Sequence, residues 1–148
     1  MRDTAKDATP AGVQMGFTEA EVELPPPDVR KVPSFFIRRP VSNILGGMLP
    51  RTARVGLLSI GDVALLTVAG EPTALAAQRM LADLPPAALE GRKVRVIALA
   101  QAYVSYIDTP ERVREGTGES RRAWYGPELL GVVTRGLTVA VEASRSGR

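Results

Sequence analysis

The sequence predicts an α/β fold, a mixed sheet with flanking helices. Val55-Gly-Leu-Leu-Ser-Ile60 and Val63–Val68, joined by Gly61-Asp62, read as a β-hairpin. Residues 72–83 are dominated by good helix formers, and Lys93-Val-Arg-Val-Ile-Ala-Leu-Ala100 reads as a further strand, alternating at first and then continuously apolar. Apolar strands interleaved with helices bury their faces by stacking in layers, and that fixes the class.

Residues 1–20 are polar and rich in small side chains, the composition of a disordered tail. Glu21-Val-Glu-Leu24 alternates like a short strand, and Pro25-Pro26-Pro27 stops it with a stiff extended piece. Residues 32–50 read as an irregular connection, because Pro33, Pro40, Gly46-Gly47 and Pro50 interrupt Phe35-Phe36-Ile37 and Ile44-Leu45. So many apolar side chains in a loop lead to the expectation that residues 33–50 pack on a covering surface. Leu84-Pro85-Pro86 closes the first helix. Residues 108–124 read as a loop, and a second helix is expected from Pro127 to Ala143, with apolar positions at 129, 130, 133, 137 and 141. Residues 144–148 are expected to fray.

Composition excludes more than it includes. The chain has 148 residues, 45% of them hydrophobic and 24% charged, enough for one buried core. It has no cysteine and no histidine. Disulfides, thiol nucleophiles and thiolate ligands are therefore absent, as are the commonest general base and the commonest zinc ligand. Carboxylates, tyrosines, lysines, serines and threonines remain for chemistry. No apolar run reaches the ~18 residues of a transmembrane segment, and Met1-Arg-Asp-Thr-Ala-Lys-Asp7 lacks the apolar core of a signal peptide. The net charge of +3 is dispersed. Between Arg112 and Arg122 the arginines alternate with Glu111, Glu115 and Glu119, which makes a solvated surface and gives no nucleic acid partner. Phosphate-binding loops, dinucleotide fingerprints and metal-spaced His or Cys sets are missing.

Glu71 stands between Gly70 and Pro72, after the apolar strand and before the first helix, whose first position is expected at Pro72. A carboxylate there faces the helix's positive end, which favours its ionised form. It also lies beyond the carboxyl end of a strand, where open α/β sheets hold ligands. A capping acid and a ligand-binding acid both fit. Tyr103 and Tyr106, three apart at the end of a strand, are two of only three tyrosines. They suit a site or, equally, aromatics packed in a core or interface with a wet hydroxyl. Tyr125 precedes Gly126-Pro127 in a turn before the second helix, beside Trp124.

Taken in order, several of these segments resemble the neutral/alkaline, non-lysosomal ceramidase family. They are Pro50-Arg-Thr-Ala-Arg54, Ile60-Gly-Asp-Val-Ala-Leu65, Gly70-Glu-Pro-Thr73, Tyr103-Val-Ser-Tyr-Ile-Asp-Thr109-Pro-Glu111 and Tyr125-Gly-Pro-Glu-Leu129. Each is weak alone; their order and spacing make the likeness specific. It covers residues 21–143 and corresponds to the C-terminal portion of the family's catalytic domain, part of a larger α/β layered domain.

The resemblance implies a zinc-dependent amidase that cleaves ceramide into sphingosine and a fatty acid, so the implied partner is an N-acyl, ceramide-like lipid. In that family zinc is held by two histidines, a glutamate and a tyrosine; the matching glutamate is Glu71 and the matching tyrosine Tyr106. Tyr103 and Tyr125 are placed in substrate binding. The zinc histidines and the nucleophilic serine belong to the family's N-terminal portion, which becomes an implied partner, because this chain has no histidine. A further family tyrosine, which helps bind the developing oxyanion, falls on Gly118. Losing one such donor typically costs about 3–4 kcal/mol of transition-state stabilisation. Asp108 stands where the family more often has threonine. Family members are secreted or membrane-associated. The expectation is a half-site, inactive alone, with a non-catalytic partner- or lipid-binding module and one half of a two-chain amidase as the other readings.

Overall fold

Strand β2, Thr52–Ile60, turns at Gly61 into β3, Val63–Thr67, and the antiparallel hairpin pairs Ile60 with Val63 and Gly56 with Thr67. Gly61 takes φ +56°, a left-handed turn conformation that glycine adopts freely. The computed structural model describes residues 12–28, 47, 49–89 and 91–146. Most of the proline-interrupted stretch expected to pack on another surface lies outside them, as do residues 1–11 of the expected tail.

Strand β1, Met15–Glu23, runs antiparallel to β2 along its whole length, from Met15 opposite Ile60 to Glu23 opposite Thr52. This corrects the expected tail of residues 1–20: six of those residues belong to the sheet. The strand expected at residues 21–24 is the end of this longer one, whose first part the pattern hid because Thr18 and Ala20 face inward while Met15 and Phe17 point outward. The Thr18 hydroxyl donates to the Ala140 carbonyl at 2.7 Å, which satisfies a polar group on the inner face.

After β3 come β4, Glu71–Pro72, then helix α1, Ala74–Asp83, and the short α2, Pro86–Leu89. The helix starts two residues later than expected. Thr73 is its N-cap and its hydroxyl accepts from the Ala76 amide at 3.3 Å, so Pro72 belongs to a strand instead of the first helical turn. Strand β5, Lys93–Ile97, then pairs in parallel with β3, giving the order β1-β2-β3-β5. The fold is thus a mixed four-stranded sheet with flanking helices. At the sheet's end the Lys93 ammonium meets Asp62 at 3.0 Å and holds that carboxyl below its usual range, chiefly through the hydrogen bond.

Strand β6, Tyr106–Ile107, is followed by α3, Pro110–Glu115, and a 3-10 turn, Gly118–Arg122. These replace most of the expected loop 108–124. The signals were present: Thr109-Pro110-Glu111 opens α3, and Gly116 at φ +66° closes it with its N–H bonded to the Arg112 carbonyl. With Val113 its one buried residue, the helix is too short for a periodic pattern to reveal it.

Helix α4, Leu129–Ser146, packs across β1 and β2 and covers one face of the sheet. It starts two residues after Pro127 and continues into the segment expected to fray. Leu129, Leu130, Val133, Leu137 and Val141, at the expected positions, are buried against Val55, Leu57 and Leu66. Gly136 permits the close approach, since a Cβ there would meet Val22 and lie 2.7 Å from Val55 Cγ2. Among the described residues no helix covers the other face: Met15, Phe17 and Ile97 are exposed, and Leu58, Ile60, Val63 and Leu65 are half-buried. No helix among the described residues is long and apolar enough to cross a membrane.

Candidate functional site

Two segments leave the carboxyl ends of the parallel strands β3 and β5 and zip together. The Val68 amide donates to Ile97 at 3.0 Å, Ala100 to Val68 at 2.9 Å, and Leu99 to Gly70 at 3.0 Å. Val104 then donates to Ala69 at 2.7 Å, Glu71 to Ser105 at 3.0 Å and Thr73 to Ile107 at 3.0 Å. The last bonds make β4 and β6 a parallel pair with Glu71 in register with Tyr106 and Pro72 with Ile107. Register partners in a parallel ladder project to the same face of the pleat. The two residues singled out as metal ligands, 35 positions apart, therefore emerge side by side, both half-buried.

Gly70 makes this pairing possible. A Cβ there would lie 2.6 Å from the Ser105 carbonyl oxygen and 3.0 Å from Val104 Cγ2. The facing loop carries three non-glycine residues in the left-handed region, Leu99 at φ 58°, Gln101 at 69° and Ser105 at 71°. Such conformations are costly and collect where a loop must present side chains in one fixed way. Anchors hold the loop: the Ser105 hydroxyl donates to the Arg122 carbonyl, and Gln101 Nε2 donates to Glu19 at 3.3 Å.

Tyr103 reaches the same spot from the loop. Local desolvation pushes its hydroxyl above the usual tyrosine value, and a hydrogen bond to Glu71 and that residue's charge push it further. The residue is 55% exposed. Tyr125 is elsewhere. It is buried, its hydroxyl donates to the Pro50 carbonyl at 2.7 Å, and burial raises its pKa. Tyr125, also expected in substrate binding, is placed apart from Glu71, Tyr103 and Tyr106, with its hydroxyl satisfied by backbone.

Zinc was implied by resemblance, and the donor set tests it. One carboxylate and one phenol on a common face offer two oxygen donors of acceptable type. Among the described residues no group of three His, Cys, Asp or Glu could hold an ion. The pair supplies two donors, fewer than the three or four protein ligands usual for zinc.

Compared with solved structures, the chain is similar to a ceramidase complexed with C2 and to the neutral ceramidase from Pseudomonas aeruginosa. Each match has a TM-score of 0.59 and 26% sequence identity, and covers 67% of this chain and 16% of the solved one. The chain is ceramidase-like. It spans less than a fifth of the length of the ceramidases it matches. No family model and no curated protein matches it.

The ceramidase-like segment holds residues that sequence reasoning left without a role. Asp108 is buried, and its carboxylate accepts from the Thr73 hydroxyl and from the Thr109 amide, both at 2.8 Å. Its only signal was its departure from the family's usual threonine. At Gly118, where the family tyrosine would fall, the backbone has φ +54° and nothing lies within 4 Å of a built Cβ. The space is open there, but the conformation suits glycine.

Proposed function

We propose that this chain contributes half of a zinc amidase site acting on N-acyl lipids of the ceramide type, and that alone it is inactive. Glu71 and Tyr106 serve as two zinc ligands and Tyr103 contacts the substrate. The missing ligands and the nucleophilic serine come from a separate portion of the ceramidase type. The in-register pairing of Glu71 with Tyr106 carries this reading. The likeness to ceramidase structures, one of them complexed with C2, supports the substrate class.

Zinc in such a site supplies Lewis-acid polarisation of the amide carbonyl. This chain's residues do the holding. The Glu71 carboxylate offers charge and the Tyr106 phenol offers a second oxygen, and the Glu71 charge acts on the nearby Tyr103 hydroxyl. Two protein ligands fall short of the usual three or four.

Equilibrium dialysis with zinc on the whole chain tests the reading. Binding weaker than micromolar is expected, and Glu71→Gln and Tyr106→Phe each remove it. Micromolar or tighter binding by the monomer, or binding indifferent to both substitutions, overturns it. A non-catalytic module that binds a partner chain or an amphiphile is the second reading, favoured by the open apolar face around Phe17 and Leu58. A monomeric chain silent to hydrophobic dyes removes that alternative.

A further inference from the structure

Strands β4 and β6 are two residues long each, too short for their own ladder to hold a register. We infer that Asp108 is the positioning residue that keeps Glu71 and Tyr106 opposite one another. This rests on reading those two as a metal half-site, although the clamp itself is a property of the apo chain.

Thr73 lies two residues beyond Glu71, and Asp108 two beyond Tyr106. The bond from Thr73 Oγ1 to Asp108 Oδ1, at 2.8 Å, closes the ladder at its far end, just past the Thr73 amide bond to Ile107. The same Oδ1 accepts from the Thr109 amide at 2.8 Å, and Oδ2 lies 3.6 Å from Arg112 Nε. The Asp108 side chain is 1% exposed, so water does not compete for these bonds. The Thr73 hydroxyl caps α1, and Thr109 holds the N-cap position of α3 without a side-chain capping bond. One carboxylate thus ties both donor strands to the helices that follow them. A ligand pair must be held to within ~0.5 Å to be useful, and that precision comes from such outer partners.

Amide hydrogen exchange on the whole chain, without metal, reads the pairing directly. In Asp108→Ala the protection of the Glu71 and Thr73 amides falls about tenfold or more, while the β2–β3 ladder keeps its protection. Asp108→Asn, which keeps the Oδ1 acceptor, retains most of it. If Asp108→Ala does not fold, Thr73→Val removes the partner hydroxyl and carries the same test against Thr73→Ser. Unchanged protection at Glu71 and Thr73, or an equal loss throughout the sheet, overturns the inference. Tyrosine absorbance during zinc titration separates it from the half-site reading. The wild-type chain develops a tyrosinate signal that Tyr106→Phe abolishes, and Asp108→Ala moves its midpoint to about tenfold higher zinc. Loss of amide protection in Asp108→Ala with no wild-type zinc signal leaves the clamp standing and sinks the half-site.

Discussion

Glu71 and Tyr106 face each other across a parallel ladder at the carboxyl ends of β3 and β5. Substitutions at either should separate metal binding from folding. Both side chains are half-buried and neither anchors the core, so Glu71→Gln and Tyr106→Phe each change stability by about 0.5 kcal/mol or less without metal. Excess zinc raises the melting temperature of the wild-type chain by mass action. Neither variant shows that rise, as differential scanning calorimetry with and without zinc will report.

Gly70 is a different case. Its missing side chain admits the Ser105 carbonyl, and an added methyl would sit 2.6 Å from that oxygen. Gly70→Ala destabilises the chain by about 1–3 kcal/mol, the usual cost of forcing atoms into a packed space. The urea midpoint measures this. Loss of Glu71 amide protection should accompany it, because the donor strand is what gets displaced.

Alkaline pH should weaken the fold through two tyrosines. Tyr103 and Tyr125 both hold their protons more tightly in the folded chain than the usual value of 10.0. Folding favours their neutral forms, so this contribution is complete below the unfolded value. It is lost as pH climbs through the raised folded values. Urea midpoints measured between about pH 9 and 11 should fall, and less steeply in Tyr103→Phe. A flat profile in the wild type contradicts the raised values.

The sheet face that no described helix covers should bind dye. Phe17 is 50% exposed and Met15 69%, above a row formed by Leu58, Ile60, Val63 and Leu65. Exposed apolar patches of this sort bind hydrophobic dyes. The native chain should therefore enhance anilinonaphthalene sulfonate fluorescence, and Phe17→Ser combined with Leu58→Thr should lower it by about half or more. Unaltered fluorescence in the double variant would place the dye elsewhere.

The hairpin, the parallel strand and the long helix were legible because each carries a strong local pattern. Leu129, Val133, Leu137 and Val141 repeat at helical spacing, and Val94 and Val96 alternate. Of strand β1 only the alternating end at residues 21–23 was legible; upstream Met15 and Phe17 face outward and Thr18 and Ala20 inward, the reverse of the usual pattern. Helix α3 had a cap and a stop but too few turns to show a period. At the site, residue types and motif order drew attention to Glu71, Tyr103, Tyr106 and Tyr125, but nothing local distinguishes a buried phenol bonded to a distant carbonyl, as Tyr125 is, from an exposed one.

By itself the sequence determined which chemistry is available: carboxylates and phenols, with no imidazole or thiol. It also set where the strongly patterned elements lie, since side-chain period is a local property. Tertiary structure alone decided that residues 71 and 106 become neighbours, that Gly70 admits the facing loop, and that Asp108 fastens the pair. Those relations join segments far apart in the chain, through backbone bonds and close approaches that no run of adjacent residues encodes.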